Sequence, residues 1–308
     1  VCKENKTKNK NPKGEQNMLF NRKLMALAMT AVLSAGLLAG CGSKEESAEG
    51  AADPAAAPGS KIILVGSTSV DPLAQKLAEA YKAKTPDVDI EIQAVGSSAG
   101  IKAALDGSAT IGMSSRELKE EEIAEGANPL IICRDGIAVA VNPENPVQNL
   151  SKDQVQKIFM GEITNWKEVG GNDEEILVVS RESGSGTRGA FEEILKIEKE
   201  VEGKKISGLV ETALQAEGTG AVKANVASKA NAIGYVSLGY IDETIKTVQV
   251  EGADATAENI TAGTYPVARP FVLVTKGEIS ETDQAFLDFV MSSEGQAEAE
   301  KDGYIRVS

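Results

Sequence analysis

Apolar and polar positions follow two alternating patterns along residues 61–308. Short apolar or alternating runs predict β-strands, and apolar residues spaced by three and four positions predict amphipathic helices. Because the two patterns succeed one another along the whole segment, the sequence predicts an α/β fold, long enough for two modest lobes. The clearest predicted strands cover residues 88–95, 137–141, 176–179, 233–236 and 271–275.

Two helix starts can be located from capping residues. Ser151 stands three positions before Gln154, which is the spacing of a capping box, and an apolar-periodic segment follows. Ser280 precedes a second segment of this kind, which carries Phe286 and Phe289. The sequence therefore predicts helices that begin directly after Ser151 and Ser280.

Three hydroxyl-rich loops each join a predicted strand to a predicted helix. They read GSTSVDP at 66–72, GSSAG at 96–100 and SRESGSGTR at 180–188. The first N–H groups of a helix have no partner within it and carry partial positive charge. Ser and Thr add short donors, and Arg181 adds a fork that fits tetrahedral oxyanions. One such loop is an ordinary helix cap, whereas three predict helix N-termini that converge on a small oxyanion.

The sequence leaves two interpretations for Arg116 and Arg188 and predicts packing roles for Trp166 and Cys133. Arg116 and Arg188 follow the serine-rich stretches, and each either faces the predicted cleft or is solvated or paired with surface acids. Trp166 is interpreted as a packing anchor. Cys133 lies in an apolar run and is expected to be a buried, unpaired thiol.

The N-terminal region has the pattern of an export signal. A basic pair at 22–23 is followed by an apolar stretch at 24–38 and by Ala39-Gly40-Cys41. The stretch is shorter than the roughly 20 residues that span a bilayer, and it ends in a lipoprotein-like cleavage site. We therefore expect residues 1–41 to be a leader and signal peptide, with lipid attached to Cys41. Residues 42–60, small and polar, are expected to form a flexible tether that holds the protein at the extracytoplasmic face of the cell membrane.

Charge and composition exclude several function classes. The chain has a formal net charge of −14, and residues 1–40 contain seven basic but only two acidic residues, so the remainder is more acidic still. Such a surface disfavours nucleic acid. The sequence contains no histidine, which excludes a Ser–His triad and histidine metal sites. We expect no metal, no cofactor and no catalysis, and a monomer; a secreted phosphohydrolase that works without histidine is the alternative from another class.

Eight segments in order resemble the phosphate-binding proteins of bacterial high-affinity phosphate ABC importers, which have the type II periplasmic-binding-protein fold. Each segment alone is modest, but their shared order makes the resemblance specific. They are GSTSVDP (66–72), GSSAGIKAAL (96–105), IGMSSREL (111–118), VAVNPENPV (139–147), IFMGEITNWKEVGG (158–171), SRESGSGTRGAF (180–191), AIGYV (232–236) and YPVARPF (265–271).

The resemblance implies two lobes with a ligand cleft between them. Residues 61–140 and 237–308 would form lobe I, residues 141–236 would form lobe II, and the chain would cross near 139–143 and 235–238. It further implies capture of inorganic phosphate and delivery to the membrane permease subunits of an ABC importer. Sulfate or molybdate is the alternative ligand.

The resemblance also implies a set of ligand residues. Relatives carry acids at the positions of Ser115 and Ser183, and an aspartate accepts the proton of hydrogen phosphate. In this chain the acceptor is then either the hydroxyl oxygen of Ser115 or a nearby carboxylate such as Glu182. The implied ligand residues are Thr68, Ser69, Ser97, Ser115, Arg181, Ser185, Gly186 and Thr187.

Overall fold

A computed structural model describes residues 61–307, and within this range one ten-stranded sheet and a separate two-stranded hairpin are surrounded by helices. Most strands are four to six residues long, whereas β4 has 15 residues. The strands are β1 (Lys61–Gly66), β2 (Asp89–Ala94), β3 (Ile111–Ser114), β4 (Ala127–Val141), β5 (Asn149–Leu150), β6 (Leu177–Arg181), β7 (Glu198–Val201), β8 (Lys204–Ser207), β9 (Leu214–Ala216), β10 (Ala232–Ser237), β11 (Lys246–Val250) and β12 (Ala268–Lys276).

The helices connect these strands and cover the sheet. Short 3-10 helices at Trp166–Val169 and Leu238–Tyr240 accompany them. The α-helices are α1 (Asp71–Lys82), α2 (Ser97–Asp106), α3 (Glu120–Ala124), α4 (Lys152–Met160), α5 (Gly186–Leu195), α6 (Thr219–Ser228), α7 (Ala257–Thr261), α8 (Glu281–Met291) and α9 (Ser293–Lys301).

The sheet has the strand order β2-β1-β3-β12-β4-β10-β6-β9. Strand β1 is parallel to β2 and β3, and β10 and β9 are both parallel to β6. Strand β12 is antiparallel to both β3 and β4, and β4 is also antiparallel to β10 and β11. Strand β11 additionally pairs with β5.

The long strand β4 belongs to two parts of the sheet. Its residues up to Gly136 pair with β12, and its residues from Ile137 to Val141 pair with β10 and with β11. We call β2-β1-β3-β12 with the beginning of β4 the first half-sheet. The end of β4 with β10, β6, β9, β11 and β5 is the second half-sheet. One continuous strand therefore joins the two half-sheets.

Each half-sheet packs against its own helices, and the largest apolar core of the first half-sheet is separate from that of the second. Tyr81 of α1 and Phe286 of α8 meet edge to face in the first core, with ring centroids 5.3 Å apart. In the second core Phe191 of α5 stacks on Tyr235 at 4.1 Å and meets the edge of Phe159. Burial of these aromatic rings together with the surrounding aliphatic side chains stabilises the fold.

The predicted α/β class is confirmed, and each predicted strand is present. Ser151 and Ser280 cap α4 and α8 as predicted. Trp166 and Cys133 are buried, in agreement with their predicted packing roles. The strand predicted at 137–141 is only the end of β4, because the polar residues at 134–135 interrupt the apolar pattern in the middle of the strand.

No helix among residues 61–307 is both long and apolar enough to cross a bilayer. The predicted signal peptide, the tether and Cys41 lie outside the described residues.

Phe191→Ala is expected to lower the free energy of unfolding by about 3–5 kcal/mol, since it removes a fully buried ring and leaves a cavity beside Tyr235. Urea unfolding followed by circular dichroism measures the change. Ile123→Ala is the control, because Ile123 is 51% exposed and its truncation should change stability by less than about 0.5 kcal/mol. A loss below about 1 kcal/mol for Phe191→Ala would contradict this packing.

Candidate functional site

The loop after β1 presents three hydroxyls in a buried turn. Ser67 N–H donates to the carbonyl of Met113 at 2.9 Å, which holds the turn against β3. A Cβ on Gly66 would lie 2.2 Å from the same carbonyl oxygen, so only glycine permits this approach. Ser67 and Ser69 are buried, and Thr68 is half-buried. The loop thus directs serine and threonine side chains into the interior.

The start of α2 adds a second group of hydroxyls. Ser97 is the first residue of α2, and its Oγ accepts a hydrogen bond from Ser115 N–H at 3.1 Å. The hydroxyls of Ser97 and Ser115 are 3.2 Å apart, and Ser67 donates its hydroxyl proton to Ser115 Oγ at 2.8 Å. The two loops therefore share a hydrogen-bonded network centred on Ser115.

Helix α5 of the second half-sheet begins directly against this network. Thr187 Oγ1 lies 2.8 Å from Ser69 Oγ and 3.5 Å from Ser115 Oγ. Ser98 N–H also donates to the carbonyl of Gly184 at 3.1 Å. Residues that precede β4 in the chain and residues that follow it thus meet at the N-termini of α2 and α5.

A buried arginine lies at the end of β6. Arg181 is 1% exposed, and its Nε and Nη2 donate to the two carboxylate oxygens of Glu182 at 2.8 and 2.6 Å. Its backbone N–H donates to the hydroxyl of Tyr235 at 3.2 Å. Burial raises the pKa of Tyr235 to about 12, so this hydroxyl stays protonated at neutral pH. Glu182 therefore fixes the guanidinium, and Tyr235 fixes the backbone of the same residue.

Glu182 keeps its negative charge despite partial burial. Burial by itself would raise the pKa of Glu182, but the hydrogen bonds and charge of Arg181 outweigh it. The N–H of Gly218 also donates to Glu182 Oε2, at 3.2 Å. The pKa of Glu182 consequently lies below its ordinary value, and its oxygens are occupied by donors from this chain.

Two residues at the site are absent from the predicted ligand residues. Ser67 lies in the first of the three predicted loops, whereas Thr219 lies outside all of them. Thr219 is the first residue of α6 and fully buried, and its Oγ1 accepts from Arg181 Nη1 at 2.9 Å. The same oxygen lies 2.8 Å from Ser69 Oγ and 3.2 Å from Thr68 Oγ1. A signal was present in the Gly-Thr-Gly run at 218–220. It was overlooked because the helix that follows consists mostly of small residues and shows no clear apolar face.

We call the hydroxyls of Ser67, Thr68, Ser69, Ser97, Ser115, Thr187 and Thr219, with the guanidinium of Arg181, the hydroxyl–arginine cluster. All but one of the eight predicted ligand residues belong to it or directly contact it. Gly186 contacts the cluster because its backbone packs on Ser97 and Ser115. Ser185 stands at its edge, where its Oγ caps α5 by accepting from Arg188 N–H at 3.2 Å.

The two arginines whose positions the sequence left undecided, Arg116 and Arg188, do not face the cluster. Arg116 forms two hydrogen bonds with the carboxylate of Glu122, at 2.7 and 2.9 Å. Arg188 pairs with Glu192 at 2.7 Å and donates to the carbonyl of Arg181 at 3.1 Å. Pairing with acids is therefore the correct alternative for both, and Arg188 also supports the backbone of Arg181.

The cluster combines donors that suit a small oxyanion. Helices α2, α5 and α6 each direct their N-terminal ends toward it, and each end carries partial positive charge. Hydroxyls act as donor or acceptor, whereas the guanidinium only donates. Among residues 61–307 no group of three or more acidic or cysteine side chains is arranged to hold a metal ion.

Comparisons with known proteins point to one family. The family model for the PBP superfamily domain matches residues 51–294. The phosphate-binding protein PstS of Bacillus subtilis (strain 168) is 33% identical over 301 residues, which cover 94% of this chain and 96% of that protein. PstS of Borreliella burgdorferi is 29% identical over 253 residues, covering 80% of this chain and 90% of that protein.

Solved structures show the same similarity. A candidate phosphate ABC transporter substrate-binding protein from Clostridium perfringens, solved with bound phosphate, is 46% identical with a TM-score of 0.76. The match covers 80% of this chain and all of that chain. An ABC-type phosphate transport receptor from Vibrio cholerae is 38% identical with a TM-score of 0.67, at the same coverage. The predicted type II periplasmic-binding-protein fold is thereby confirmed.

Gly186→Ala is expected to weaken phosphate binding by about fivefold or more, because overpacking a tight contact costs about 1–3 kcal/mol. The added Cβ would lie 2.3 Å from Ser97 Oγ and 2.9 Å from Ser115 Oγ, so α5 could no longer approach α2. Isothermal titration calorimetry measures the affinity. Gly184→Ala is the matched control, since its Cβ would come no closer than 4.0 Å to Ser98. Equal affinities for the two variants would show that the approach of α5 to α2 is not needed.

Proposed function

Because the chain belongs to the phosphate-binding proteins of the PBP superfamily, we propose that it captures inorganic phosphate outside the cytoplasm and delivers it to an ABC importer. The observation that carries this proposal is the hydroxyl–arginine cluster, in which buried donors from both half-sheets meet at three helix N-termini. Buried donors of this composition stabilise a small tetrahedral anion, because each anion oxygen can meet several donors at once. The B. subtilis and B. burgdorferi relatives carry the name of phosphate-binding proteins, which supports phosphate as the anion.

The proposed contacts follow from the geometry of the cluster. Arg181 provides the charged contact, and Glu182 keeps its guanidinium in place. Ser115 is the proposed acceptor of the phosphate proton rather than Glu182, whose oxygens already accept from Arg181 and from Gly218. The proposed ligand residues are Thr68, Ser69, Ser97, Ser115, Arg181, Ser185, Gly186 and Thr187, to which we add Thr219.

The proposed action is binding and release without chemical change. The relatives are binding proteins of transporters, and the cluster contains no histidine or other general base next to a nucleophile. We propose that the protein acts as a monomer that presents its cargo to the permease subunits. Discrimination against sulfate then depends on serine oxygens that accept the proton of hydrogen phosphate.

Closure around the anion is proposed to involve two lobes. Lobe I would comprise residues 61–140 and 237–308, and lobe II residues 141–236. Strand β11 pairs with β4 and β5 of the second half-sheet, which supports moving residues 246–250 to lobe II. Contacts between α2 and α5 would then form on closure and break on release.

The membrane anchor is a separate proposal. The run that ends in Ala39-Gly40-Cys41 supports lipid attachment at Cys41, and the polar tether at 42–60 supports a position at the extracytoplasmic face of the membrane. An anchored binding protein would stay close to its permease.

Cys41→Ser is expected to release the protein from the membrane fraction, because the thiol that carries the lipid is lost. Fractionation of producing cells, with metabolic labelling by radioactive fatty acid, measures both attachment and lipid content. Cys133→Ser is the control and should remain membrane-bound, since Cys133 is buried inside the fold. Labelled lipid on the Cys41→Ser protein would refute the assignment.

The purified protein is expected to bind one phosphate per chain in calorimetry with a chelator present. Arg181→Ala should weaken binding by about tenfold or more, since a hydrogen bond to a charged group is worth about 1.5–3 kcal/mol. Arg181→Lys should recover only part of this loss because an ammonium lacks the planar fork. Arg116→Ala is the control, as Arg116 pairs with Glu122 away from the cluster.

Competition with sulfate and molybdate in the same titration decides between the anions. If sulfate bound more tightly than phosphate, the proposed ligand would be sulfate and not phosphate. Heat only after a metal is added, or turnover of a chromogenic phosphate ester, would reject the proposed function.

A further inference from the structure

A buried ion pair that is not part of the hydroxyl–arginine cluster lies directly beside it. Arg269 donates from Nη2 and Nε to Asp135 Oδ2 at 2.9 and 3.2 Å. Both side chains are almost completely excluded from water, with exposed fractions of 1% and 0%. Since desolvation of two charges is costly, such a pair is a poor source of stability, and its position suggests another role.

The ion pair lies where the two half-sheets join. Asp135 of β4 and Arg269 of β12 are direct cross-strand partners, next to the point at which β4 changes from β12 to β10 as its neighbour. The second carboxylate oxygen, Asp135 Oδ1, accepts from Ser237 Oγ at 3.0 Å and from Leu238 N–H at 3.1 Å. Strands β4, β10 and β12 are therefore tied together by one carboxylate.

The third donor of the same guanidinium reaches the anion site. Arg269 Nη1 donates to the carbonyl oxygen of Ser115 at 3.2 Å. The N–H and the hydroxyl of Ser115 contact Ser97, Ser67 and Thr187 of the cluster. Arg269 thus fixes the orientation of a residue whose other groups belong to the hydroxyl–arginine cluster.

We propose that Arg269 is a positioning residue for anion binding. Held by Asp135, it orients Ser115 toward the anion and links that residue to the junction of β4, β10 and β12. The proposal rests on the proposed function, because Ser115 matters only where the cluster binds an anion. Arg269 does not touch the anion; it acts through Ser115.

Replacement of the pair as a unit is the main test. Loss of Arg269 alone would leave Asp135 charged and buried, which is strongly destabilising. The variant Asp135→Asn/Arg269→Gln removes both charges and keeps amide groups that can hydrogen-bond. Its phosphate affinity in calorimetry is expected to fall by about three- to thirtyfold, the range typical of coupling between contacting networks. Circular dichroism confirms that the chain is folded.

A double-mutant cycle with Ser115→Ala distinguishes positioning from general structural damage. If Arg269 acts through Ser115, replacement of the pair in the Ser115→Ala background should cost less than about twofold. An equal loss in both backgrounds would overturn the proposal, as would wild-type affinity in the pair variant.

Arg269→Lys is the second variant in case the pair variant does not fold. It keeps the charge beside Asp135 but cannot also reach Ser115, so it should show the same loss and the same dependence on Ser115.

The matched control uses the ion pair of Arg116, the residue after Ser115, with Glu122 of α3. Arg116→Gln/Glu122→Gln makes the equivalent change one residue after Ser115, in a pair that is 12% and 15% exposed. The Arg116 guanidinium donates to Glu122 and to the carbonyl of Glu117, not to Ser115. Its affinity should stay within about twofold of wild type. A wild-type protein that binds neither phosphate nor sulfate overturns the proposed function and this inference with it. Wild-type binding with no effect of the Arg269 variants overturns this inference alone.

Discussion

The guanidinium of Arg181 lies almost completely out of contact with water, and a cation in that position must be balanced by groups around it. Glu182 supplies one negative charge, and Thr219 accepts the hydrogen bond from Arg181 Nη1. The hydroxyl of Tyr235 accepts from the backbone N–H of Arg181. Three helix N-termini add further positive potential around the same point. The surroundings of the cluster therefore remain favourable to an anion even though one carboxylate is present.

The sequence predicts the parts of the site whose local pattern is strong. Ser97 and Thr187 stand at helix starts with clear apolar periodicity, so their loops could be recognised. Thr219 has only the Gly-Thr-Gly run at 218–220 as a local signal, because α6 consists mostly of small residues, and its place in the site depends on how the sheet folds. The middle of β4 could not be predicted for a related reason. Asp135 lies there, and its buried ion pair with Arg269 permits a charge where a strand pattern would require an apolar residue. Such pairings are tertiary and leave no periodic signal.

Two electrostatic effects act on an anion that approaches this acidic protein. The net charge of −14 repels anions at long range, but salt screens this repulsion beyond about 10 Å. Inside the cluster the donors act over hydrogen-bond distances in a medium that screens poorly. If the cluster is the anion site, as we propose, affinity is set by buried groups, while the surface charge acts mainly on the rate of encounter and on solubility.

The position of β12 in the sheet has a consequence for biogenesis. This strand lies between β3 and β4, yet residues 268–276 come more than 120 residues after β4 in the chain. The first half-sheet therefore lacks one of its inner strands until nearly the whole polypeptide has been synthesised, and contacts of such long sequence separation form slowly. For a protein that is exported as we propose, this delay is an advantage, because the first half-sheet is still incomplete while the chain is translocated.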